Sequence, residues 1–157
     1  MEKETFAYFS DNALLKLNSV QGKQVQKVIC YLWQNKQNPN DVVELIDNIE
    51  LIFDDHDRIN IACNENGDGL TTVDFDLAAV KEELEREFKG KIKLFAIDAS
   101  DTKMWKDVKN KVLENIQISK EDGKYKADSI LLNFGEEKRT ISIGPIDGLI
   151  IDYYEEV

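Results

Sequence analysis

The feature that most constrains the fold of this chain is a pattern of alternating apolar residues and turns that occurs twice. In the first copy, apolar residues alternate with more polar ones at Ile49, Leu51, Phe53, Ile59 and Ile61. A period of two residues predicts strands with one buried face. Residues 54–57 and 64–69 consist largely of Asp, Asn and Gly, which favour turns, and residues 70–75 continue as a strand pattern. This copy predicts an antiparallel meander of three strands.

The same order of strands and turns occurs near the C-terminus. The alternating apolar residues are here Ile130, Leu132, Phe134, Ile141 and Ile143. Residues 47–53 align with 128–134, and the Asp-Gly-Leu of 68–70 aligns with that of 147–149, which opens a last strand pattern. A weaker upstream match pairs residues 20–30 with 108–118 at a constant offset of 88. The match indicates a tandem duplication. The alternative is that two meanders look alike because alternation and Asp-Gly turns are common.

A helix is predicted between the two copies. Asp76 is a good N-cap, apolar residues recur at helical spacing up to Phe88, and Gly90 is a typical stop signal. Alternation over 91–98 predicts one more strand, and shorter helices are expected over 11–17 and, capped by Ser100 and Asp101, over 100–108. The predicted fold is α+β, mainly antiparallel β-sheet, with two duplicated β-meander units at about 14–76 and 102–157 and an amphipathic helix at about 77–89 between them.

Length and composition predict one globular domain over residues 1–157. A chain of this length with 42% hydrophobic residues buries a core without disulfides or metals. Cys30 and Cys63, the two cysteines, are expected to be buried free thiols, although one bridge between them is the alternative. The N-terminus has no signal-peptide pattern and no stretch is apolar enough to span a membrane, so we expect a cytoplasmic protein.

The charge balance is strongly acidic. The chain has 31 acidic and 20 basic side chains, which gives a formal net charge of −11 at pH 7. This sign argues against a nucleic-acid partner and against electrostatic attachment to an anionic membrane. It is compatible with a basic protein partner, and equally with a surface charge that only maintains solubility.

Residues 64–69 are a candidate calcium loop. Asn64, Asn66 and Asp68 supply oxygen atoms at the first, third and fifth positions, and a glycine follows at the sixth, as in an EF-hand loop. The twelfth position, which should carry a bidentate carboxylate, is Phe75. A β-turn explains the same residues. We therefore predict no cofactor and no metal ligand, and Asn64, Asn66 and Asp68 are kept only as a weak calcium-site candidate.

Nothing in the chain matches a catalytic motif. His56 is the single histidine and is surrounded by aspartates, which is typical of a solvated turn. Phosphate loops, dinucleotide-binding turns, nucleophile elbows and Cys-His metal clusters are absent from the sequence. We therefore expect a non-enzymatic protein. Five aromatic residues are compatible with an interaction patch, but their spacing favours core or edge cover: Phe6, Tyr8, Phe9, Tyr31 and Trp33.

Two segments carry a resemblance to a known class of proteins. A Gly-Lys-x-Val-x-x-Val start at 22–28 and an Ile-Glu-Leu-Ile-Phe-Asp strand at 49–54, followed by an Asp-Gly turn and a second such unit, resemble small acidic bacterial proteins. Many of these are encoded beside secreted polymorphic toxins and are regarded as immunity proteins. The resemblance implies a cytoplasmic protein that binds and blocks a toxin, often a basic nuclease. It implies no particular site residue.

The leading functional hypothesis is accordingly a protein-binding module of immunity type with a basic protein partner. Acidic residues in the predicted turns are the candidate contacts: Asp54, Asp55, Asp57, Glu65 and Asp68. One alternative is a ligand held between the two units, or calcium held by the 64–69 loop. Another is self-association through an exposed strand edge. The oligomeric state is left open by the sequence.

Overall fold

The computed structural model describes residues 7–144 and 148–154. The first half contains α1 (Asp11–Ser19), β1 (Val25–Asn35), β2 (Val43–Phe53), β3 (Arg58–Cys63), β4 (Leu70–Val73), α2 (Leu77–Phe88) and β5 (Ile92–Asp98). The second half contains β6 (Asn115–Gln117), β7 (Lys120–Glu121), β8 (Lys124–Tyr125), β9 (Ser129–Phe134), β10 (Glu137–Ile143) and β11 (Leu149–Tyr153). Phe6 and Asp147, which the sequence interpretation used, lie outside the described residues.

The strands form two main sheets and a small hairpin. One sheet has the order β4-β3-β2-β1-β5 and the other has the order β11-β10-β9-β6, while β7 pairs with β8. Every strand pair in these sheets is antiparallel. The predicted α+β class and mainly antiparallel sheet are therefore confirmed, and within the described residues two helices accompany the sheets.

One hydrophobic core joins the two sheets. On the first sheet, residues that face each other across neighbouring strands, such as Ile49 and Ile61, present one apolar face. On the second sheet Ile130 and Ile141 do the same. All of these residues belong to a single cluster of buried side chains. Because each sheet supplies one wall of this core, neither half buries its apolar face alone.

The two predicted helices that flank the first meander are present. The Ser10 side chain accepts a hydrogen bond from the Ala13 N–H at the start of α1, and Asp76 accepts one from the Ala79 N–H at the start of α2. The helix α2 ends where Lys89 adopts a left-handed conformation. Its side chains are not fully buried, and it packs against β5 on the face of the first sheet that points away from the core.

The prediction of a helix over residues 100–108 is wrong. The chain forms a series of turns there, because the Ser100 hydroxyl that should cap the helix accepts a hydrogen bond of 2.9 Å from the Val28 N–H of β1 instead. The segment has a packing role. Trp105 is 2% exposed and Val108 is fully buried, so the turns close one end of the core between the sheets.

A short ladder links the two segments that align in the sequence at an offset of 88. Gln24 and Val112, which differ by the offset of 88, form an antiparallel bridge. The hydrogen bonds around this bridge occur in reciprocal pairs: Val25 N to Lys111 O with Leu113 N to Lys23 O, and Asn110 N to Val25 O with Gly22 N to Leu113 O. If each residue is replaced by its counterpart 88 positions away, each hydrogen bond of a pair becomes the other one.

Two matched glycines make a second reciprocal contact. A Cβ at Gly69 would lie 3.0 Å from Ala127 Cβ, and a Cβ at Gly148 would lie 3.1 Å from the Ile46 carbonyl oxygen. Both distances are too short for a larger residue without a shift of the neighbour. Gly69 therefore lets its turn approach the residues just before β9, and Gly148 lets its turn approach the first part of β2.

Cys30 and Cys63 form no disulfide with each other, as predicted, although both are only partly buried. They lie on β1 and β3, with β2 between them. Two strand spacings amount to about 10 Å, which exceeds the span of a disulfide. No helix in the described ranges has the length and apolar character needed to cross a bilayer.

A buried arginine anchors the edge of the second sheet. Arg139 is 2% exposed, and its Nε donates a hydrogen bond of 2.8 Å to the Met104 carbonyl oxygen. Its Nη1 donates to Glu137 at 2.9 Å, and the guanidinium lies 4.5 Å from the centre of the Tyr153 ring. One side chain thus connects β10, β11 and the turns before β6.

We expect Arg139→Ala to lower the free energy of unfolding by about 2 to 4 kcal/mol, because it removes buried packing and leaves the Met104 carbonyl without its donor. Arg86→Ala, on the exposed side of α2, is the matched control and is expected to change stability by less than about 0.5 kcal/mol. Urea unfolding of both variants measures the difference. Equal effects would contradict the anchoring role.

Candidate functional site

The acidic residues singled out in the sequence do not form one surface. Asp54, Asp55 and Asp57 lie in the turn before β3, whereas Glu65 and Asp68 lie in the turn after it. Six residues of strand separate the two turns, which corresponds to about 20 Å. The structure therefore divides the candidate contacts into two groups at opposite ends of β3.

The turn before β3 is largely neutralised by lysines from the same chain. Lys23 Nζ lies 2.6 Å from Asp55 and 3.0 Å from Asp57, and Lys16 Nζ lies 3.1 Å from Asp57. Hydrogen bonding to Lys23 lowers the pKa of Asp55, and the same lysine is the main cause that lowers the pKa of Asp57 to about 2. His56 is exposed at the tip of this turn with a φ of 71°. These contacts are typical of a stable surface turn.

The 64–69 loop is closed by hydrogen bonds within itself. Asn64 Nδ2 donates to Asp68 Oδ1 at 2.7 Å, and the Asp68 N–H donates back to Asn64 Oδ1 at 3.2 Å. The Gly67 N–H donates to the Asn64 carbonyl oxygen, and Asn66 is exposed. Among the described residues no group of three or more His, Cys, Asp or Glu side chains is arranged to hold a metal ion. The calcium interpretation of Asn64, Asn66 and Asp68 stays a hypothesis, and the turn accounts for their contacts.

A groove of about 500 Å³ lies beside this loop, mainly on the face of the first sheet that points away from the core, and it reaches Cys63 and Gly148 at the end of that sheet. We call it the acidic groove. Its apolar lining includes Trp33, Leu45, Val73 and Phe75, and its polar lining includes Asp47, Asn64, Glu65 and Asn66. Glu65 is the one residue among the predicted partner contacts that lines it.

Strand pairing and a bulge position these side chains. Trp33 and Leu45 are opposite each other on β1 and β2, so they share a face. The register between these strands shifts next to this pair, and Asp47 is the extra residue on β2. A bulge of this kind turns a side chain away from the regular alternation. The bulge accordingly places a carboxylate at the rim of an apolar groove.

A buried polar network lies on the same sheet face. Tyr31 donates a hydrogen bond of 2.9 Å to Glu50 Oε1, and the Arg58 guanidinium lies 3.6 Å from the other carboxylate oxygen. Asn60 Nδ2 donates to Asn48 Oδ1 at 2.9 Å. Burial, and then the Glu50 carboxylate, raise the pKa of Tyr31 to about 12, so its phenol stays protonated.

This network lies beside the groove and contacts its wall. Asn48, Glu50 and Asn60 are at most 4% exposed, and buried polar groups that are satisfied hold their surroundings in one arrangement. The ring of Phe75, which lines the groove, lies 4.6 Å from the ring of Tyr31, the donor to Glu50. The network contains no serine or cysteine nucleophile, and its geometry suits positioning of the groove.

The charge of the protein is concentrated in the same part of the chain. Residues 41–76 carry eleven acidic side chains and one basic side chain, Arg58, whereas the other residues carry twenty acidic and nineteen basic ones. Nearly the whole net charge of −11 thus belongs to β2, β3, β4 and their turns. This uneven distribution of charge is present in the sequence, but the net charge of the whole chain does not reveal it.

A second groove of about 550 Å³ lies between α1 and the second half of the chain. Its lining is mainly apolar: Leu14, Leu15, Leu17, Ile116, Ile118 and Tyr125. This is where a ligand between the two predicted units would lie. Of the predicted aromatic group, Phe9 and Tyr31 are buried, whereas Tyr8 and Trp33 are half-buried.

Searches against protein-family models, curated proteins and solved structures found no match for this chain.

The Asp57 contacts predict a pH dependence of stability. The pKa of Asp57 is about 2 in the folded protein against an ordinary value of 3.8, so its ion pairs contribute fully above the ordinary value. That contribution is lost as the pH falls from 3.8 toward 2, because the unfolded chain takes up the proton first. We expect the stability difference between wild type and Asp57→Asn to shrink over this window in urea unfolding.

Asp54→Asn removes a charge from the same turn and is the control, since Asp54 has no ion pair within the described residues. It is expected to cost less at neutral pH than Asp57→Asn. A difference between wild type and Asp57→Asn that persists unchanged to pH 2 would contradict the assigned ion pairs.

Proposed function

We propose that this chain is a non-enzymatic, cytoplasmic protein-binding module of the immunity type, which binds a basic protein partner through the acidic groove. The observation that carries the proposal is the groove itself, where carboxylates of Asp47 and Glu65 border the apolar surface of Trp33 and Phe75. The likeness of residues 22–28 and 49–54 to immunity proteins supports the same function class.

The groove suits a lysine or arginine side chain of the partner. Such a side chain has an aliphatic stem that packs on apolar surface and a cationic head that stays near water. An aromatic ring stabilises a cation at its face by about 0.5 to 2 kcal/mol, and a carboxylate adds a charge-assisted hydrogen bond. Trp33 with Asp47 or Glu65 offers both kinds of contact within one concavity.

The charge distribution supports fast and selective association. The segment 41–76 carries ten of the eleven net negative charges; Asp55 and Asp57 at the far end of β3 are paired with lysines, whereas Asp47 and Glu65 line the groove. A concentrated field of one sign raises the association rate of an oppositely charged partner and disfavours partners of the same sign. Added salt screens such a field beyond a distance of about 8 to 10 Å.

The first step of the test is to identify the genes next to the gene for this chain, and the product of an adjacent toxin gene is then the partner used. We expect the wild-type protein to restore growth of cells that express the toxin, and Asp47→Lys/Glu65→Lys to weaken binding by at least about tenfold, because two contacts become repulsive. Asp107→Lys/Glu136→Lys makes the same charge change on exposed residues of the second half and is the control. Loss of protection by both pairs, or by neither, would contradict the assigned site.

A simpler probe tests the groove without a known partner. Trp33 lines the groove and Trp105 is buried in the core, so a bound peptide is expected to change the fluorescence of Trp33 alone. We expect a hexa-arginine peptide to change the emission of the wild-type protein but not of Trp33→Phe, and a hexa-glutamate peptide to have no effect. An equal response to both peptides would argue against charge recognition.

We also propose that the chain is a tandem duplication with approximate two-fold symmetry. Its support is the reciprocal hydrogen bonds around Gln24 and Val112, the reciprocal approaches of Gly69 and Gly148, and the shared order of the two meanders. Reciprocal contacts of this kind are the signature of an isologous interface. An alignment of homologues tests it: positions at the observed offsets should share residue preferences, and independent preferences would count against a common origin.

A second candidate function is the binding of a small apolar molecule, which the groove between α1 and the second half favours. Its volume of about 550 Å³ falls in the range of ligand pockets. A ligand in excess of its dissociation constant raises the melting temperature, so a panel of apolar metabolites is the test. An unchanged melting temperature would remove this candidate.

A further inference from the structure

The first part of β2 has one side without a strand partner. The strand β3 pairs with β2 only over residues 48–52, whereas β1 pairs with β2 as far back as Val43. Residues 44–46 therefore have β1 on one side and, within the described residues, no strand on the other. This stretch borders the acidic groove, because Leu45 is part of the groove lining.

The backbone groups of Glu44 and Ile46 point to this open side. Alternate residues of a strand direct their N–H and C=O groups to opposite sides. The Lys36 N–H, just after β1, bonds on the side of β5. Trp33 therefore points to β2, and Leu45 opposite it points back to β1. The neighbours of Leu45 thus offer a carbonyl oxygen and an N–H to a further strand.

The second half of the chain has an extended segment at the matching place. Residues 125–127 match 44–46 at the same offset of 81 that aligns 47–53 with 128–134. The segment 7–9 lies on their outer side. Two hydrogen bonds join it as in an antiparallel pair: Phe9 N to Tyr125 O at 3.0 Å, and Ala127 N to Ala7 O at 2.9 Å.

The turn at Gly148 is compatible with such a strand on β2. Gly148 lies against the Ile46 carbonyl oxygen, and its counterpart Gly69 lies equally close to Ala127. The N–H of Ala127 is nevertheless paired with the segment 7–9. In the described part of the chain no backbone carbonyl outside β1 accepts a hydrogen bond from the Ile46 N–H.

The side chains around the two places differ in charge. The segment 7–9 lies among lysines, since Lys126 is opposite Tyr8 and the Lys124 ammonium lies 5.4 Å from the centre of the Tyr8 ring. The place beside β2 faces the carboxylates of Asp47 and Glu65 instead. Neither carboxylate has an ion pair with a described residue. The occupant that these charges favour is therefore cationic.

We propose that an extended segment of the basic partner pairs antiparallel with residues 44–46 of β2 and adds a strand to the first sheet beside the acidic groove. It takes the place that the segment 7–9 fills in the second half. Phe9 is buried in the core whereas Tyr8 lies on the other face, so the partner segment alternates apolar and cationic residues in the same way. The inference rests on the proposed function, because it states how the same partner binds.

Three peptides test the pairing: acetyl-Val-Arg-Val-Arg-Val-Arg-Val-amide, and the same peptide N-methylated at its valines or at its arginines. An arginine opposite Leu45 reaches the groove and directs its N–H away from β2, whereas the flanking valines direct theirs to β2. We expect methylation of the valines to weaken binding at least about tenfold, because a methyl group replaces the donor to the Glu44 carbonyl oxygen. Methylation of the arginines is the matched control and is expected to change the dissociation constant less than about threefold. The emission of Trp33 measures binding.

Hydrogen exchange measured by nuclear magnetic resonance gives a second readout. In the free protein we expect the Ile46 amide to exchange at least about tenfold faster than the Ala127 amide, because only the latter has its strand partner. The unmodified peptide is expected to slow the exchange of Ile46. An Ile46 amide that is already protected in the free protein, or that the peptide does not protect, would overturn the proposal.

The outcomes separate this inference from the proposed function. Equal effects of the two methylation patterns would overturn strand pairing, but charge recognition would stand if Asp47→Lys/Glu65→Lys still abolishes the response to hexa-arginine. No response to hexa-arginine or to any of the three peptides would contradict the proposed function and strand pairing together.

Discussion

The packing of the two sheets around one core is the constraint on which the rest of the structure depends. Ile49 and Leu51 of the first sheet and Ile130 and Leu132 of the second belong to the same buried cluster. When apolar and polar residues alternate along a strand, only one face of that strand is apolar. Since the second sheet covers one face of the first, the opposite face is free to carry polar side chains, the helix α2 and the acidic groove. The turns around Trp105 seal the core without adding a third layer.

The face of the first sheet that points away from the core carries both a buried polar network and the acidic groove. Asn48, Glu50 and Asn60 are buried there and hydrogen-bonded, and Tyr31 is held against Phe75. A polar network of this kind contributes little net stability, but it fixes the position of the side chains above it. The same face belongs to the segment that carries nearly all of the net charge. A preorganised apolar surface with carboxylates at its rim follows from these two properties together.

Much of the fold could be predicted from the sequence, because local signals determined it. Alternation gave the strands of both meanders, and the cap at Asp76 gave the start of α2. The helix predicted over 100–108 failed because the Ser100 hydroxyl bonds to β1, a contact 72 residues distant in the chain. Of the two carboxylates that line the groove, Glu65 is predicted as a contact from its turn, whereas Asp47 is not, because a bulge that leaves no pattern in the sequence turns it to the groove. Asp55 and Asp57 are predicted as contacts because they are acidic residues in a turn, and their pairing with Lys23 is not visible in the sequence because Lys23 is 32 and 34 residues away.

We propose that a basic partner binds to the acidic groove and to no other surface of this protein. Nuclear magnetic resonance of the isotope-labelled protein, titrated with the basic partner, tests it residue by residue. We predict that the largest changes in amide chemical shift occur at the groove residues Leu45, Asp47 and 64–67. The amide shifts of α1 and of the second sheet are expected to change little. Largest changes on the second sheet or around α1, with the groove unaffected, would contradict it.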